Sequence, residues 1–255
     1  MTEKVAMITG GATGIGRSVT LDLVKKGYAV VVVYNTSSAK AEALQNEIKS
    51  GGGKCLIAQA DVSVEEDAVR VVDLCEKTFG RLDVLVNSAG TTKFIPLKDL
   101  DSVHYDSWDP IMKTNVVGVF NFCREGAKLI NKSGGGTIVN IASLSATRVT
   151  GSCIPYCLSK AAVVQLTKIL AVNLAPSIRV NCVSPGNVVN TDWHRDHEGF
   201  NLEAYKAKND AKIPIGRVAT PEDVANVVLF LTSEEAAYLN GVNIIIDGGR
   251  SEVHV

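Results

Sequence analysis

The sequence lacks both a strong excess of one charge and a long hydrophobic segment. Its 255 residues include 26 basic and 27 acidic side chains, and the formal net charge is -1. A chain this close to neutrality has no general attraction to nucleic acids or to anionic membranes. The apolar run at residues 5–8 is too short for a signal peptide core or a spanning helix. We therefore expect no nucleic-acid partner, no membrane partner and a cytoplasmic location.

The sequence also lacks cysteine and histidine patterns typical of disulfide frameworks or metal sites. The six cysteines are scattered and contain no Cys-x-x-Cys pair, so we interpret them as reduced thiols. His194 and His197 stand three residues apart without an evident third ligand, so no metal site is predicted. Because no linker, repeat or low-complexity segment appears, residues 1–255 are predicted to form a single domain.

Short β-type runs alternate with helical patterns along the chain. Residues 29–34 are almost all β-branched, which is typical of a parallel strand buried on both faces. Repeated β–α alternation indicates a parallel sheet with right-handed crossovers. The predicted fold is α/β, a single-domain Rossmann-type doubly wound parallel sheet of about seven strands with helices on both faces. One continuous helix is predicted over residues 111–131, and residues 187–214 are interpreted as a substrate lid.

A glycine-rich loop follows the first predicted strand. It reads Gly10-Gly-Ala-Thr-Gly14-Ile-Gly16, and an amphipathic helix comes directly after it. A strand, a glycine loop and a helix in this order place a pyrophosphate on a helix N-terminus. Glycines allow the backbone to approach the phosphates closely. The segment therefore predicts a dinucleotide site, although its spacing is G-x-x-x-G-x-G.

The tip of the second predicted strand bears on which dinucleotide is bound. NAD-specific sites usually carry an acidic residue there for the ribose 2′-hydroxyl. Residues 35–38, including Asn35 and Thr36, are polar and uncharged, which favours NADP(H) over NAD(H). No arginine or lysine lies in the tip itself, and Thr13 occupies a loop position where a basic residue would help. Arg17 and Lys40 are the nearest candidates for such a cation.

A tyrosine and a lysine stand four residues apart in a predicted helix over residues 154–174. Tyr156 and Lys160 project from one helix face, and an ammonium beside a phenol is expected to lower the phenol pKa. Such a pair can exchange a proton during interconversion of a ketone and an alcohol. By itself the spacing also fits a half-buried ring beside a solvated charge. Ser143, predicted at the carboxyl edge of the sheet where ligands bind, strengthens the catalytic interpretation.

Taken together, these motifs resemble the single-domain branch of the short-chain dehydrogenase/reductase family. Within that family the sequence is similar to 3-oxoacyl-(acyl carrier protein) reductases. The motifs that carry the resemblance span nearly the whole chain. They are residues 9–16, Asp61-Val62, residues 87–90, Asn115, Ser143, residues 156–160, Pro185-Gly186 and residues 247–249.

The resemblance implies a role for each matching residue. Tyr156 is the general acid in ketone reduction and the base in alcohol oxidation, and Lys160 lowers its pKa and binds the nicotinamide ribose. Ser143 orients the substrate carbonyl, and Asn115 holds a water that links Lys160 to solvent. The predicted cofactor contacts are Gly10, Thr13, Gly14, Ile15, Gly16, Asn35, Thr36, Asp61, Val62, Asn87, Ala89, Gly90, Tyr156, Lys160, Pro185, Gly186, Val188 and Thr191.

The substrate stays open at this point. Carrier-protein reductases usually have an arginine at the position of Thr13 and two basic residues that dock the carrier. Lys128 matches one of them, but residues 175–178 offer no base. A carrier-bound ketone and a small ketone, sugar or polyol are therefore both retained. A cofactor-binding regulator without catalysis is the alternative from another class, and the resemblance further implies a homo-oligomer, most commonly a tetramer.

Overall fold

All strands of the described residues belong to one parallel sheet. The structure is a computed structural model that describes residues 3–191, Trp193 and residues 201–252. Its strand order is β3-β2-β1-β4-β5-β6-β7, and every neighbouring pair is parallel. The strands are β1 (Val5–Thr9), β2 (Ala29–Tyr34), β3 (Cys55–Gln59), β4 (Val84–Asn87), β5 (Gly136–Ile141), β6 (Ile178–Pro185) and β7 (Asn243–Ile246). The order reverses between β1 and β4, and α/β sheets bind ligands at such a switch point.

Helices cover both faces of the sheet. They are α1 (Gly14–Lys25), α2 (Ser38–Ser50), α3 (Glu65–Phe79), α4 (Tyr105–Met112), α5 (Gly118–Lys132), α6 (Ile154–Leu174), α7 (Leu202–Asp210) and α8 (Pro221–Thr232). Met7 of β1 packs with α3, α5 and α6 in one core, whereas Ala6 and Ile8 pack with α1, α2 and α8 in the other. Alternate residues of a strand point to opposite faces, so β1 is buried on both. The predicted doubly wound α/β fold is confirmed.

The prediction of one regular helix over residues 111–131 is wrong in its start and in its continuity. The helical segment begins earlier, at Tyr105, and a π-helical turn over Lys113–Val117 separates α4 from α5. Asn115 lies in that turn with its side chain fully buried. Its Nδ2 donates to the Thr91 carbonyl over 3.0 Å, and its Oδ1 accepts from the Thr91 amide over 2.8 Å. These bonds fix the turn to the chain that follows β4, and hydrophobic periodicity cannot reveal such a one-residue change in winding.

A buried chain of polar side chains connects β4, β5 and α6 below the carboxyl edge. Asn87 Nδ2 donates to Asn140 Oδ1 over 2.9 Å, and Asn140 Nδ2 donates to Thr167 Oγ1 over 2.9 Å. The Thr167 hydroxyl in turn donates to the Val163 carbonyl over 2.8 Å. Since unpaired buried amides are costly, this chain fixes how α6 sits against the two strands.

Helix α6 alone, of the helices in the part of the chain described, is long and apolar enough to cross a membrane by length and composition. One face of it packs against the sheet and buries Lys160, Val163 and Thr167, which is the arrangement of a core helix. The opposite face exposes Ile169 and Val172, whose exposed fractions are 49% and 79%.

Candidate active site

A cavity of about 1210 Å³ runs along the carboxyl edge of the sheet. Its walls come from the loops that follow β1 to β6, from α6 and from the segment after β7. Every site residue predicted from the sequence lines this cavity except Gly16, Asn87 and Asn115. Those three lie directly behind its wall, as described below.

The glycine loop between β1 and α1 leaves no room for a side chain at Gly10 and Gly16. Gly10 has φ 64°, and a Cβ there would lie 3.0 Å from Ala89 Cα. A Cβ at Gly16 would come within 2.2 Å of the Gly10 carbonyl oxygen, so Gly16 closes the turn from behind. Gly14 has φ 49°, and its Cβ would lie 3.3 Å from Thr191 Cβ. At its glycines the loop therefore presents backbone without side chains beside the first turn of α1, which fits the pyrophosphate of a dinucleotide.

Asn87 ends β4 beneath the cavity. It is 2% exposed, and its Nδ2 donates to Asn140 Oδ1. Its Oδ1 is buried without a hydrogen-bond partner among the described residues. An orphaned acceptor costs folding free energy, and it stands at the strand end where the ribose of a dinucleotide is expected. Ser88, Ala89 and Gly90 form the cavity wall above it.

Tyr156 and Lys160 lie side by side on the inner face of α6. They are 8% and 4% exposed, and Lys160 Nζ is 5.7 Å from the centroid of the Tyr156 ring. Lys160 Nζ also donates to the Ile141 carbonyl at the end of β5 over 2.9 Å. Ser143 follows that strand two residues later and lines the same cavity. The proposed catalytic hydroxyls and the lysine are thereby gathered at the ends of β5 and the start of α6.

Burial controls the ionisation of this pair. It raises the pKa of Tyr156 to about 12, against a smaller lowering effect of the Ser143 hydroxyl. Burial also lowers the pKa of Lys160 to about 8. The net shift of the Tyr156 pKa is therefore upward, because loss of solvent around the phenol dominates it. That Lys160 lowers the Tyr156 pKa stays a prediction. Tyr156 is held as a protonated phenol at neutral pH, which is the proton-donating form.

Asn115 supports the site from behind the wall at Gly90. Its Nδ2 donates to Ser159 Oγ over 3.0 Å, and Ser159 Oγ donates to the Tyr156 carbonyl over 2.7 Å. A Cβ on Gly90 would lie 3.4 Å from Asn115 Oδ1 and 3.6 Å from Lys160 Nζ. Asn115 thus joins the loop after β4 to the first turn of α6, immediately beside the lysine.

Trp193 and Ser145 are among the cavity residues that were not predicted from the sequence. The Trp193 ring lies 5.5 Å from the Tyr156 ring, centroid to centroid, with the planes tilted by 55°. Ser145 Oγ accepts from Ser143 Oγ over 3.2 Å. A large aromatic within a polar insertion and the Ser-x-Ser spacing were the available signals. His194, Arg195 and His197 of the predicted lid lie outside the described residues.

Comparison with known proteins identifies the family. A family profile described as Enoyl-(Acyl carrier protein) reductase matches residues 10–251. The chain belongs to the short-chain dehydrogenase/reductase family. Members of this family bind a nicotinamide dinucleotide and act on CH–OH donors as oxidoreductases, and the bare glycine loop and orphaned Asn87 acceptor described above fit such a cofactor.

Individual family members align with almost the whole chain. Ketoacyl reductase 2 of the granaticin polyketide synthase from Streptomyces violaceoruber is 37% identical, over 96% of this chain and 95% of that protein. D-threitol dehydrogenase from Mycolicibacterium smegmatis is 35% identical, over 96% of this chain and 92% of that protein. The crystal structure of a short-chain dehydrogenase/reductase from Burkholderia xenovorans superposes with a TM-score of 0.91 at 30% identity. The superposition covers 99% of this chain and 100% of that chain.

Replacing Lys160 by methionine tests the buried charge. Because the folded-state pKa is about 8 and the ordinary value is 10.5, a charged Lys160 disfavours folding fully below pH 8. That cost disappears as pH rises from 8 to 10.5. We expect Lys160→Met to raise the unfolding free energy by up to about 3 kcal/mol below pH 8, with the gain shrinking across this window.

Urea unfolding from pH 6 to pH 10.5 measures this difference. Lys168→Met, at an exposed lysine of the same helix, is the matched control and should not stabilise the protein at any pH. A Lys160→Met protein that is destabilised at pH 7 would contradict the assignment of a desolvated, charged lysine.

Proposed function

We propose that the protein is an NAD(P)(H)-dependent oxidoreductase that interconverts a ketone and a secondary alcohol, with Tyr156 as the general acid and base. The observation that carries this proposal is the buried Tyr156 phenol beside Ser143 and Lys160 in a cavity whose other end is a glycine loop. A regulator that only binds cofactor would not need this group of buried polar side chains. Their desolvation is a cost to folding that catalysis explains.

Each site residue has a distinct part in the proposed reaction. A bound nicotinamide supplies or accepts the hydride. In the direction of reduction, the Tyr156 hydroxyl donates its proton to the substrate oxygen, and the Ser143 hydroxyl orients that oxygen. Lys160 binds the cofactor ribose and stabilises the phenolate that forms. Asn115, through Ser159, holds the first turn of α6 in place and supports a water that leads from Lys160 to solvent.

The cofactor contacts are proposed for the residues predicted from the sequence. Gly10, Thr13, Gly14 and Ile15 would hold the phosphates, and Asp61 and Val62 would contact the adenine. The remaining contacts would come from the loops that follow β2, β4 and β6. They are Asn35, Thr36, Ala89, Gly90, Pro185, Gly186, Val188 and Thr191, all of which line the cavity, with Gly16 and Asn87 supporting them from behind.

A reductase of 3-oxoacyl type is the leading proposal for the substrate, and a dehydrogenase of a small sugar or polyol is the second. The named relatives include both a ketoacyl reductase and a D-threitol dehydrogenase. Carrier docking has limited support, because Lys128 is ion-paired with Glu125 over 2.5 Å. We propose that residues 187–214 select the substrate as a lid, since Val188, Thr191, Trp193 and Tyr205 line the cavity.

Tyr156→Phe tests the acid–base assignment. Removing the hydroxyl leaves the ring packing intact but removes the proton donor, so kcat should fall at least about a hundredfold. Cofactor affinity, measured by nicotinamide fluorescence, should change little. Tyr105→Phe, at a tyrosine that is 79% exposed, is the control. Normal kcat in the Tyr156→Phe enzyme on a carbonyl panel would eliminate the proposed role.

We further propose a preference for NADP(H). The tip residues Asn35, Thr36 and Ser37 line the cavity and carry no carboxylate, so they would not repel a 2′-phosphate. Arg17 is the candidate cation on α1, and it is paired with Glu47 over 2.6 Å. Titration should give a lower Kd for NADPH than for NADH. Thr36→Asp should weaken NADPH binding about tenfold more than NADH binding, because it opposes like charges. Tighter NADH binding by the unmodified protein would refute this preference.

A homo-oligomer, most simply a tetramer, is the proposed assembly. The outer face of α6 exposes Leu158, Ile169 and Val172, and Val117 of the π turn and Phe120 of α5 are also exposed. An apolar face of this kind is suited to a second copy of the chain. Light scattering should give several times 27.1 kDa, and Val172→Asp should reduce that mass. A monomeric unmodified protein would contradict the proposal.

We also propose a cytoplasmic location, with which six unpaired cysteines agree.

A further inference from the structure

We propose that Arg250 forms an anion subsite in the substrate half of the cavity, so that the preferred substrate is a ketone or alcohol with a carboxylate or phosphate group rather than a neutral polyol. The subsite rests on the proposed function. Arg250 follows β7 in a short 3₁₀ turn over Arg250–Glu252, is partly buried and lines the cavity. The following observations concern its charge, its position and its rigidity.

The charge of Arg250 is not neutralised by a carboxylate in the described part of the chain. Its Nη1 donates to Asn209 Oδ1 over 3.0 Å, and the same oxygen accepts from Asn187 Nδ2 over 2.7 Å. Both partners are neutral amides. Lys93 also lines the cavity, but it is paired with Asp106 over 2.8 Å. Arg250 is therefore the guanidinium that retains its capacity for an anionic ligand.

The position of Arg250 separates it from the cofactor end of the cavity. In the sheet order, β7 lies five strands away from β2 and six strands away from β3. At about 4.8 Å per strand, these separations are about 24 Å and about 29 Å. The adenosine end at Asn35 and Asp61 is thus far from Arg250. Asp61 is also the one carboxylate among the described cavity-lining residues, so no carboxylate lines the cavity at the Arg250 end.

The chain around Arg250 is held rigidly. Asp247 Oδ1 accepts from the Gly249 amide over 2.9 Å, and Asp247 Oδ2 accepts from the Ser251 amide over 2.7 Å. Gly248 has φ 65°, and a Cβ there would lie 2.6 Å from Cγ2 of Ile213. The turn therefore packs closely on the segment after α7. A fixed guanidinium loses little entropy when it binds.

Tyr205 of α7 lies close enough to Arg250 for the guanidinium charge to affect the Tyr205 pKa. Burial raises the Tyr205 pKa, and the Arg250 guanidinium opposes that rise. Tyr205 and Trp193 line the same cavity. An acid whose carbonyl carbon reaches Tyr156 would therefore extend its chain past aromatic rings toward a cation.

The chemistry of the ligand follows from the guanidinium. Its planar donors match the two oxygens of a carboxylate or those of a phosphate. A keto group at Tyr156 and an anionic group at Arg250 would fix both ends of one substrate. The shared feature is the anion, and its two sources are a free carboxylic acid and a phosphate ester.

The test compares matched substrates in the full-length protein with NADPH. One arm uses short 3-oxo acids beside their methyl esters, and the other uses hydroxyacetone phosphate beside hydroxyacetone. The measured quantity is the ratio of kcat/KM for the anion to that for its neutral partner. We expect a ratio well above one for the unmodified protein. A charged hydrogen bond of this kind contributes about tenfold to a hundredfold.

Arg250→Gln should reduce that ratio about tenfold or more, and Arg250→Lys should restore part of it. The matched control is Arg70→Gln, at an exposed arginine paired with Asp67 on α3, which should keep the original ratio. The larger of the two ratios identifies carboxylate or phosphate as the source of the anion. An unchanged ratio in Arg250→Gln, or no preference for anions in the unmodified protein, overturns the subsite while ester turnover persists. Loss of turnover on every ketone would instead refute the proposed function.

Discussion

Burial of two ionisable side chains on one face of α6 is the constraint on which the site depends. Tyr156 and Lys160 are almost fully buried, and burial shifts their pKa values in opposite directions. It raises the pKa of the Tyr156 phenol, which keeps it protonated, and lowers the pKa of the Lys160 ammonium. The surrounding polar framework has to position both groups. The bond from Lys160 to the Ile141 carbonyl and the buried chain from Asn87 to Thr167 provide that framework.

The parallel sheet brings residues that are far apart in sequence together along its carboxyl edge. Its order sets the glycine loop after β1 near the middle, with the proposed adenine contacts toward β3 and the proposed substrate contacts toward β7. Residues as remote in sequence as Gly14 and Thr191 come into near contact there. Hydride chemistry requires that a dinucleotide and a substrate meet. An open sheet meets this requirement because each strand end contributes a loop to the same cavity.

Much of this arrangement could be predicted from the sequence, since strong local signals carry it. The β-branched residues of β2, the glycines from Gly10 to Gly16 and the spacing of Tyr156 and Lys160 each report a local geometry. The π turn at Asn115 left no such signal, because one extra residue hardly alters an amphipathic pattern. The net rise of the Tyr156 pKa could not be predicted, because the sequence shows its neighbour on the helix but not the loss of solvent around the ring. Trp193 and Arg250 enter the cavity from segments whose path depends on the whole fold.

The π turn between α4 and α5 has a consequence for how one long helical segment is used. One residue of extra winding rotates everything after it by about 100° relative to a regular helix. The turn itself can therefore aim Asn115 at the loop after β4. The segment after it independently aims Phe122 and Ile130 into the core and Phe120 toward solvent. The side chains on the two sides of the turn thus have independent rotational positions about the helix axis. Removing a single residue within Lys113–Val117 would therefore rotate Asn115 out of register with the core residues of α5.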